Sequence, residues 1–257
     1  MTETLKLCLS LMDLTSLKSQ DTPSSIKAFV SKVNDFPQAF PGLPLPAGIC
    51  VYPNFVAAVK SQLQVPGVRI VAVSGAFPAS QSFREVNLLE TRMALADGAD
   101  EIDIVLALNA FLDGDRAAAA DEIRVQKALV GDRTLKVILE TGVLKEPERI
   151  YDASMLAMES GADFIKTSTG KVEVGATPEA AEAMCRAIRD YARQTGRKVG
   201  FKAAGGISTT EQALTYVDIV RETLGSEWLN SGLFRLGVSR LGNHLLSSLS
   251  GRAVSYF

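Results

Sequence analysis

The chain has 257 residues, 47% of them hydrophobic and 22% charged, the balance of a globular protein with a sizeable core. A net charge of −2, with lysines and arginines scattered and never in blocks, argues against a nucleic-acid partner. Three dispersed cysteines (Cys8, Cys50, Cys185) and a single histidine, His244, supply neither a disulfide framework nor a zinc site of ordinary composition, and no apolar run reaches membrane-spanning length.

The N-terminal "MTETLKLCLSLMDLT" lacks a basic leader region, and Lys6 and Asp13 interrupt its apolar run. It reads as a short helical extension leading into a weak first strand, "LSLMDLT" (9–15). The Pro-rich "PQAFPGLPLPAG" (37–48) reads as a loop before a second strand, "GICVY" (48–52). Further β-branched runs follow: "VRIVAVSG" (68–75), "EIDIVLAL" (101–108), "LKVILETG" (135–142), "DFIKTSTG" (163–170), "KVGFKAAGG" (198–206) and "LFRLGVS" (233–239). Helical periodicity fills Gln81 to Asp97, where Val86, Leu89, Met93 and Leu95 recur among charges, and also 147–160, 177–194 and 209–224. Thr177 with Pro178 behind it marks one helix start, and "STTEQ" with Glu211 marks another.

The strand candidates are continuous apolar runs, as in parallel strands covered on both faces. Eight of them alternating with helices predict one (β/α)8 barrel over residues 1–257, ending in a loop-like flexible tail. A doubly wound sheet is the rival, but its Gly-rich dinucleotide turn is missing. In a barrel the C-terminal strand ends carry the active site. Polar residues gather in those strands: Asp13, Asp103, Lys136, Glu140, Lys166 and Lys202. An ammonium in such a strand is costly unless it is paired or loses its proton. Lys166, between "FI" and "TST", has little room to reach outward. Lys136, at a strand start, reads equally well as inward or as snorkelling between helices. Glu140 reads as a cap or a partner for a backbone amide.

After the seventh strand, "AAGGIS" offers backbone N–H groups at Gly205 and Gly206; after the eighth, "LGVSR" leads into a helix N-terminus near Ser239. Loops in these places are the usual barrel phosphate site. "TSTGK" is no P-loop, because Ile165 and Val172 stand where that motif needs glycine and Ser/Thr. A neutral lysine attacks carbonyls to give a Schiff base, yet an ordinary lysine is neutral only about once in 2,500 molecules at pH 7. Burial and a second cation, Lys202 on the adjacent strand, lower that pKa, at ~1.4 kcal/mol per unit.

Together "MDLT", "GADEIDIV", "KVILETG", "DFIKTSTGK", "GFKAAGG" and "RLGVSRL" resemble the deoxyribose-phosphate aldolase family, in order and over nearly the full chain. The resemblance implies a cytoplasmic, often dimeric (β/α)8 enzyme, a metal-independent class I aldolase with no cofactor. It would cleave 2-deoxy-D-ribose 5-phosphate reversibly to acetaldehyde and D-glyceraldehyde 3-phosphate. It implies Lys166 as the Schiff-base lysine, Lys202 as its perturbing partner and Asp103 as the acid/base. It also implies Asp13 and Thr15 as N-terminal site residues, Cys50 beside the site, and Tyr256 on the tail as a proton-transfer group. The substrate and its phosphate would be held by Thr169, Gly170, Lys171, Gly205, Gly206, Gly237, Ser239 and Arg240. Three positions depart from the family pattern: Ala203 in "GFKAAGG", Arg240 after Ser239, and Ala79-Ser80 in "AFPASQS", where a glycine usually stands. The rival readings are a transaldolase-like or keto-acid aldolase and a non-catalytic sugar-phosphate-binding barrel.

Overall fold

A computed structural model of the protein describes residues 2–257. The elements run α1 (Thr2–Ser10), β1 (Met12–Thr15), α2 (Pro23–Ala39), β2 (Gly48–Val51), α3 (Val56–Gln62), β3 (Arg69–Val73) and α4 (Arg84–Ala96). There follow β4 (Glu101–Val105), α5 (Leu108–Leu112), α6 (Arg116–Val130), β5 (Thr134–Ile138), α7 (Thr141–Leu144), α8 (Pro147–Glu159) and β6 (Phe164–Lys166). The chain ends with α9 (Pro178–Thr195), β7 (Gly200–Ala204), α10 (Thr210–Leu224), β8 (Phe234–Val238) and α11 (Leu241–Ser250). The eight strands are all parallel and close β8 onto β1, the barrel expected from the sequence.

The strands are almost wholly buried because helices cover their outer face and side chains fill the inside. Helix starts follow the expected chemistry. Thr177 caps α9 by accepting from the Ala180 amide, with Pro178 in the first turn. Thr209 caps α10 in a reciprocal box whose partner is Gln212, one residue beyond Glu211.

Three local readings change. Residues 37–39, read as loop, are the last turn of α2; its buried Ile26, Val30, Val33 and Phe36 recur at helical spacing and hold it to the barrel. Helix α6, not read from the sequence, buries Ala119, Ala120, Ile123, Gln126 and Val130, a face of two small residues and one polar one beside two large apolar ones, which weakens its apolar period. In α4 the face is inverted: Asn87, Thr91 and Ala94 are buried, while Val86, Leu89 and Met93 are exposed. After Ser250 the tail forms no helix or strand. Phe257 stacks on Phe36 and Tyr256 sits edge-on to Phe40, so the tail lies against the outside of the barrel.

Glycine makes room inside the barrel at two points. A Cβ on Gly200 would stand 2.3 Å from the Phe164 ring, and one on Gly237 would stand 3.0 Å from Lys202 Cε. The missing side chains leave space for the Phe164 ring and for the Lys202 side chain.

Candidate active site

Strand register sets the site. Asp103 on β4 is level with Lys136 on β5, Lys166 on β6 with Lys202 on β7, and Lys202 with Arg235 on β8. Period two then points Asp103 and Glu101 to the same side, into the barrel. The outcome is a buried ionic cluster. Asp103 Oδ2 accepts from Lys166 Nζ at 3.0 Å and from Lys202 Nζ at 2.8 Å, while its Oδ1 accepts from Lys136 Nζ at 2.9 Å. Asp13 accepts from Lys202 Nζ at 2.5 Å and from Arg235 Nη1 at 2.5 Å. Glu101 pairs with Arg235 at 2.8 Å and with Lys136 at 2.5 Å. Lys136 and Lys202 are fully buried and Lys166 is 3% exposed, at the top of the cluster.

Three carboxylates face four cations. If all seven were ionised the cluster would hold one buried positive charge in excess, so loss of one proton balances it. The environments choose which one. Burial pushes the Lys166 pKa down, and Lys202 lowers it further against the pull of Asp103. Burial pushes Lys202 down too, but Asp103 and Asp13 together outweigh it and leave its pKa raised. Lys136 is likewise raised, burial being outweighed by Asp103 and Glu101. Burial would raise Asp103; Lys136, Lys202 and Lys166 instead hold it well below the usual carboxylate range. Asp13 is lowered in the same way by Lys202 and Arg235. Lys166 is thus the member from which the proton leaves most easily.

Above the cluster opens a pocket of about 320 Å³ at the C-terminal strand ends. Lys166 is its floor, and Thr15, Thr169, Gly170, Lys171, Gly205, Gly206, Gly237, Ser239 and Arg240 all line it. Gly205 and Gly206 have φ of 92° and 83°, a backbone that favours glycine, and helix α11 begins just beyond Arg240. The far wall is therefore built from backbone amides and a helix N-terminus, a ready anion seat. Lys18, Leu17 and Ser208 line the pocket as well and were not singled out in the sequence.

Glu140 orders the loop after β6. It accepts from the Thr169 amide at 3.1 Å and from the Thr169 hydroxyl at 2.5 Å, and Thr169 Oγ1 in turn accepts from the Lys171 amide at 3.0 Å. Lys171 Nζ donates to the Leu17 carbonyl across the pocket. The Thr15 hydroxyl donates to the Asp13 carbonyl at 2.8 Å. Cys50 is fully buried among Leu17, Val71 and Val73, and burial raises its thiol pKa. Asp13, Asp103 and Lys202 lie beneath the pocket floor, not in its wall.

Tyr256 is not brought to this pocket. Its hydroxyl donates to the Lys32 carbonyl of α2 at 2.7 Å. Ala203 faces the outer core, away from the pocket, whereas its neighbour Ala204 lines it. Glu101 and Arg235 were missed in the sequence, and Lys136 was left open. Glu101 was legible from Asp103 by period two, and Lys136 is the residue opposite Asp103 once register is known. Among the described residues no three His, Cys, Asp or Glu side chains stand together to hold a metal, and no helix is long and apolar enough to cross a membrane.

Residues 7–232 match the family described as DeoC/LacD family aldolase. The chain is 42% identical to a candidate deoxyribose-phosphate aldolase of Caenorhabditis elegans, over 93% of this chain and 79% of that one. It is 40% identical to the deoxyribose-phosphate aldolase of Homo sapiens, over 95% and 81%. The crystal structure of a candidate deoxyribose-phosphate aldolase from Toxoplasma gondii superposes with a TM-score of 0.83 at 27% identity, over 97% of this chain and 98% of that one.

Proposed function

The chain belongs to the DeoC/LacD family of aldolases, and from that premise we propose that it cleaves 2-deoxy-D-ribose 5-phosphate reversibly through a Schiff base on Lys166. The products are acetaldehyde and D-glyceraldehyde 3-phosphate. The observation that carries the mechanism is the unequal sharing of Asp103: Lys166 and Lys202 donate to the same carboxylate oxygen, yet only Lys166 has its pKa lowered.

The neutral Lys166 amine attacks the C1 aldehyde of the open-chain sugar, giving a carbinolamine. The Lys202 ammonium and Asp103, hydrogen-bonded to each other, pass a proton to its hydroxyl, which leaves as water and forms the iminium. A base removes the C3 hydroxyl proton, the C2–C3 electron pair moves onto the iminium nitrogen, and glyceraldehyde 3-phosphate departs. The enamine left on Lys166 is protonated at C2, and water releases acetaldehyde and the free amine. Asp13, bound to Lys202 and Arg235, holds the relay lysine in place. The 5-phosphate fits the wall of Gly205, Gly206, Gly237, Ser239 and Arg240, with Thr169, Gly170 and Lys171 closing the side and Thr15 near the sugar. Cys50 packs beneath the site. Tyr256 could join the proton transfers only by giving up the Lys32 carbonyl and its aromatic seat on α2. Three buried free cysteines accord with a reducing cytoplasm, and we infer that the chain works there.

A coupled assay for acetaldehyde release tests the reading against a binding-only barrel. The wild type should turn over, and Lys166→Met should lose turnover while still binding the sugar phosphate. A wild type that binds the sugar phosphate without cleaving it would leave the binding-only reading standing.

A further inference from the structure

The buried ionic cluster is a closed ring with one spur. Taking each contact once, the ring runs Asp13, Arg235, Glu101, Lys136, Asp103 and Lys202, and Lys202 returns to Asp13. The six alternate in sign, and each carboxylate gives a separate oxygen to each of its two ring neighbours. Three carboxylates and three cations make the ring neutral by itself. Lys166 stands outside it. Its ammonium makes one hydrogen bond among the described residues, to the Asp103 oxygen that Lys202 already uses. The seventh charge therefore has no carboxylate of its own.

Two ring members lie away from the substrate. Glu101 is the first residue of β4, and with Arg235 it lines a second cavity, about 440 Å³, at the N-terminal strand ends. Neither lines the site pocket. Phe164, in the room left by Gly200, has Lys136 Nζ and Arg235 Cζ each 5.9 Å from its ring centre. We infer that Glu101 and Arg235 are positioning residues for the aldolase reaction: by closing the ring they keep Asp13, Asp103, Lys136 and Lys202 matched among themselves and leave Lys166 as the member that gives up its proton. Opening the ring at Arg235 leaves three carboxylates against Lys136, Lys202 and Lys166, so Lys166 holds its proton to higher pH. Opening it at Glu101 leaves two carboxylates against four cations, and Lys166, held by a single bond, releases its proton at lower pH. Removing both leaves two carboxylates matched by Lys136 and Lys202, with Lys166 again the one in excess. Strands β4 and β8 are each two places from β6. At ~4.8 Å per place, plus the offset along the strands, the two charges act on Lys166 from roughly 10–15 Å. Across that distance, at an effective dielectric of ~20, one charge moves a pKa by about one unit. The other titratable groups on the elements around Lys166 are the Cys50 thiol on β2, Glu140 after β5, and Lys18, Lys171 and Arg240 about the pocket, and they are the same in every variant.

Competitive labelling of the full chain with acetic anhydride tests this, with the Lys166 peptide quantified by mass from about pH 6 to about pH 11. Circular dichroism melts confirm that each variant folds. Arg235→Met should raise the midpoint of Lys166 labelling by about 0.5–1 unit, and Glu101→Gln should lower it by about as much. The double variant should return it to within ~0.3 unit of the wild type. The acidic limb of deoxyribose 5-phosphate cleavage should follow, so that Arg235→Met loses about 3–10-fold in rate on that limb. A purely structural role would harm both single variants alike and the double variant most. The inference rests on the aldolase reading, but the labelling does not. A wild type that labels as expected and fails to cleave the sugar would sink that reading and leave the ring standing. Single variants that move the midpoint in the same direction or not at all would overturn the inference, as would a double variant no nearer the wild type than either single one. Should Arg235→Met not fold, Glu101→Gln and the charge-balanced double variant decide the matter.

Discussion

Replacing Lys166 with methionine separates a reactive lysine from a structural one by its effect on stability. The amine is buried, and its pKa is lowered by burial first and by Lys202 second. In the unfolded chain it titrates near ~10.4. Between the lowered folded value and that unfolded value the unfolded state holds a proton that the native state has given up, so unfolding free energy rises with pH across the window. Below the folded value the penalty is full and constant, at ~1.4 kcal/mol for each unit of lowering; above the unfolded value it is gone. Methionine fills nearly the same volume without a charge and leaves three cations against three carboxylates. Lys166→Met should therefore be at least as stable as the wild type near neutral pH, and its advantage should shrink as pH rises toward ~10. Urea unfolding from about pH 6 to about pH 10 reads this directly. A loss of ~3–5 kcal/mol throughout, the cost of breaking a buried ion pair, would mean that Lys166 is a full ammonium held by Asp103, and the account of its reactivity would fail.

Lys202→Met should behave oppositely. It strips Asp13 and Asp103 of a shared cation, costs ~3–5 kcal/mol of stability, and removes a charge that lowers the Lys166 pKa. Turnover should drop ~10²–10⁴-fold with the acidic limb of the pH–rate profile, which follows deprotonation of Lys166, moved to higher pH, and a profile of unchanged shape would contradict the relay. Arg240→Ala should raise KM for the phosphorylated sugar roughly ten-fold and leave turnover of unphosphorylated deoxyribose unaltered; equal losses on both substrates would remove Arg240 from the phosphate seat. Ser80 holds φ of 55° where glycine costs nothing, so Ser80→Gly should stabilise the fold by about 1 kcal/mol in urea titration. A neutral or destabilising result would show that the serine side chain offsets the strain.

The barrel was legible because parallel strands covered on both faces leave uninterrupted β-branched runs, and a lysine or aspartate inside such a run stands out. Lys166, Lys202 and Asp103 were found in this way. Arg235 was not, since one arginine in "LFRLGVS" looks the same whether it points to solvent or into the barrel; only the pairing of Lys202 with Arg235 fixes its direction. The same limit applied to Lys136, whose inward course depends on its place opposite Asp103. Helix α4 shows a different failure. Periodicity reports that a helix has an apolar face but not which way it turns, and here the core side is taken by Asn87, Thr91 and Ala94. The tail composition of "AVSYF" suggested a loop, but the seat of Tyr256 and Phe257 depends on Phe36 and Phe40, more than two hundred residues earlier.

Borohydride trapping tests the central claim most directly. The protein is incubated with 2-deoxyribose 5-phosphate or acetaldehyde, reduced, digested and searched by mass for a modified lysine. The account predicts an adduct of acetaldehyde mass on Lys166 and none on Lys136 or Lys202, whose raised pKa values keep them protonated. An adduct on either of those lysines instead, or no adduct in folded protein with substrate bound, would contradict it.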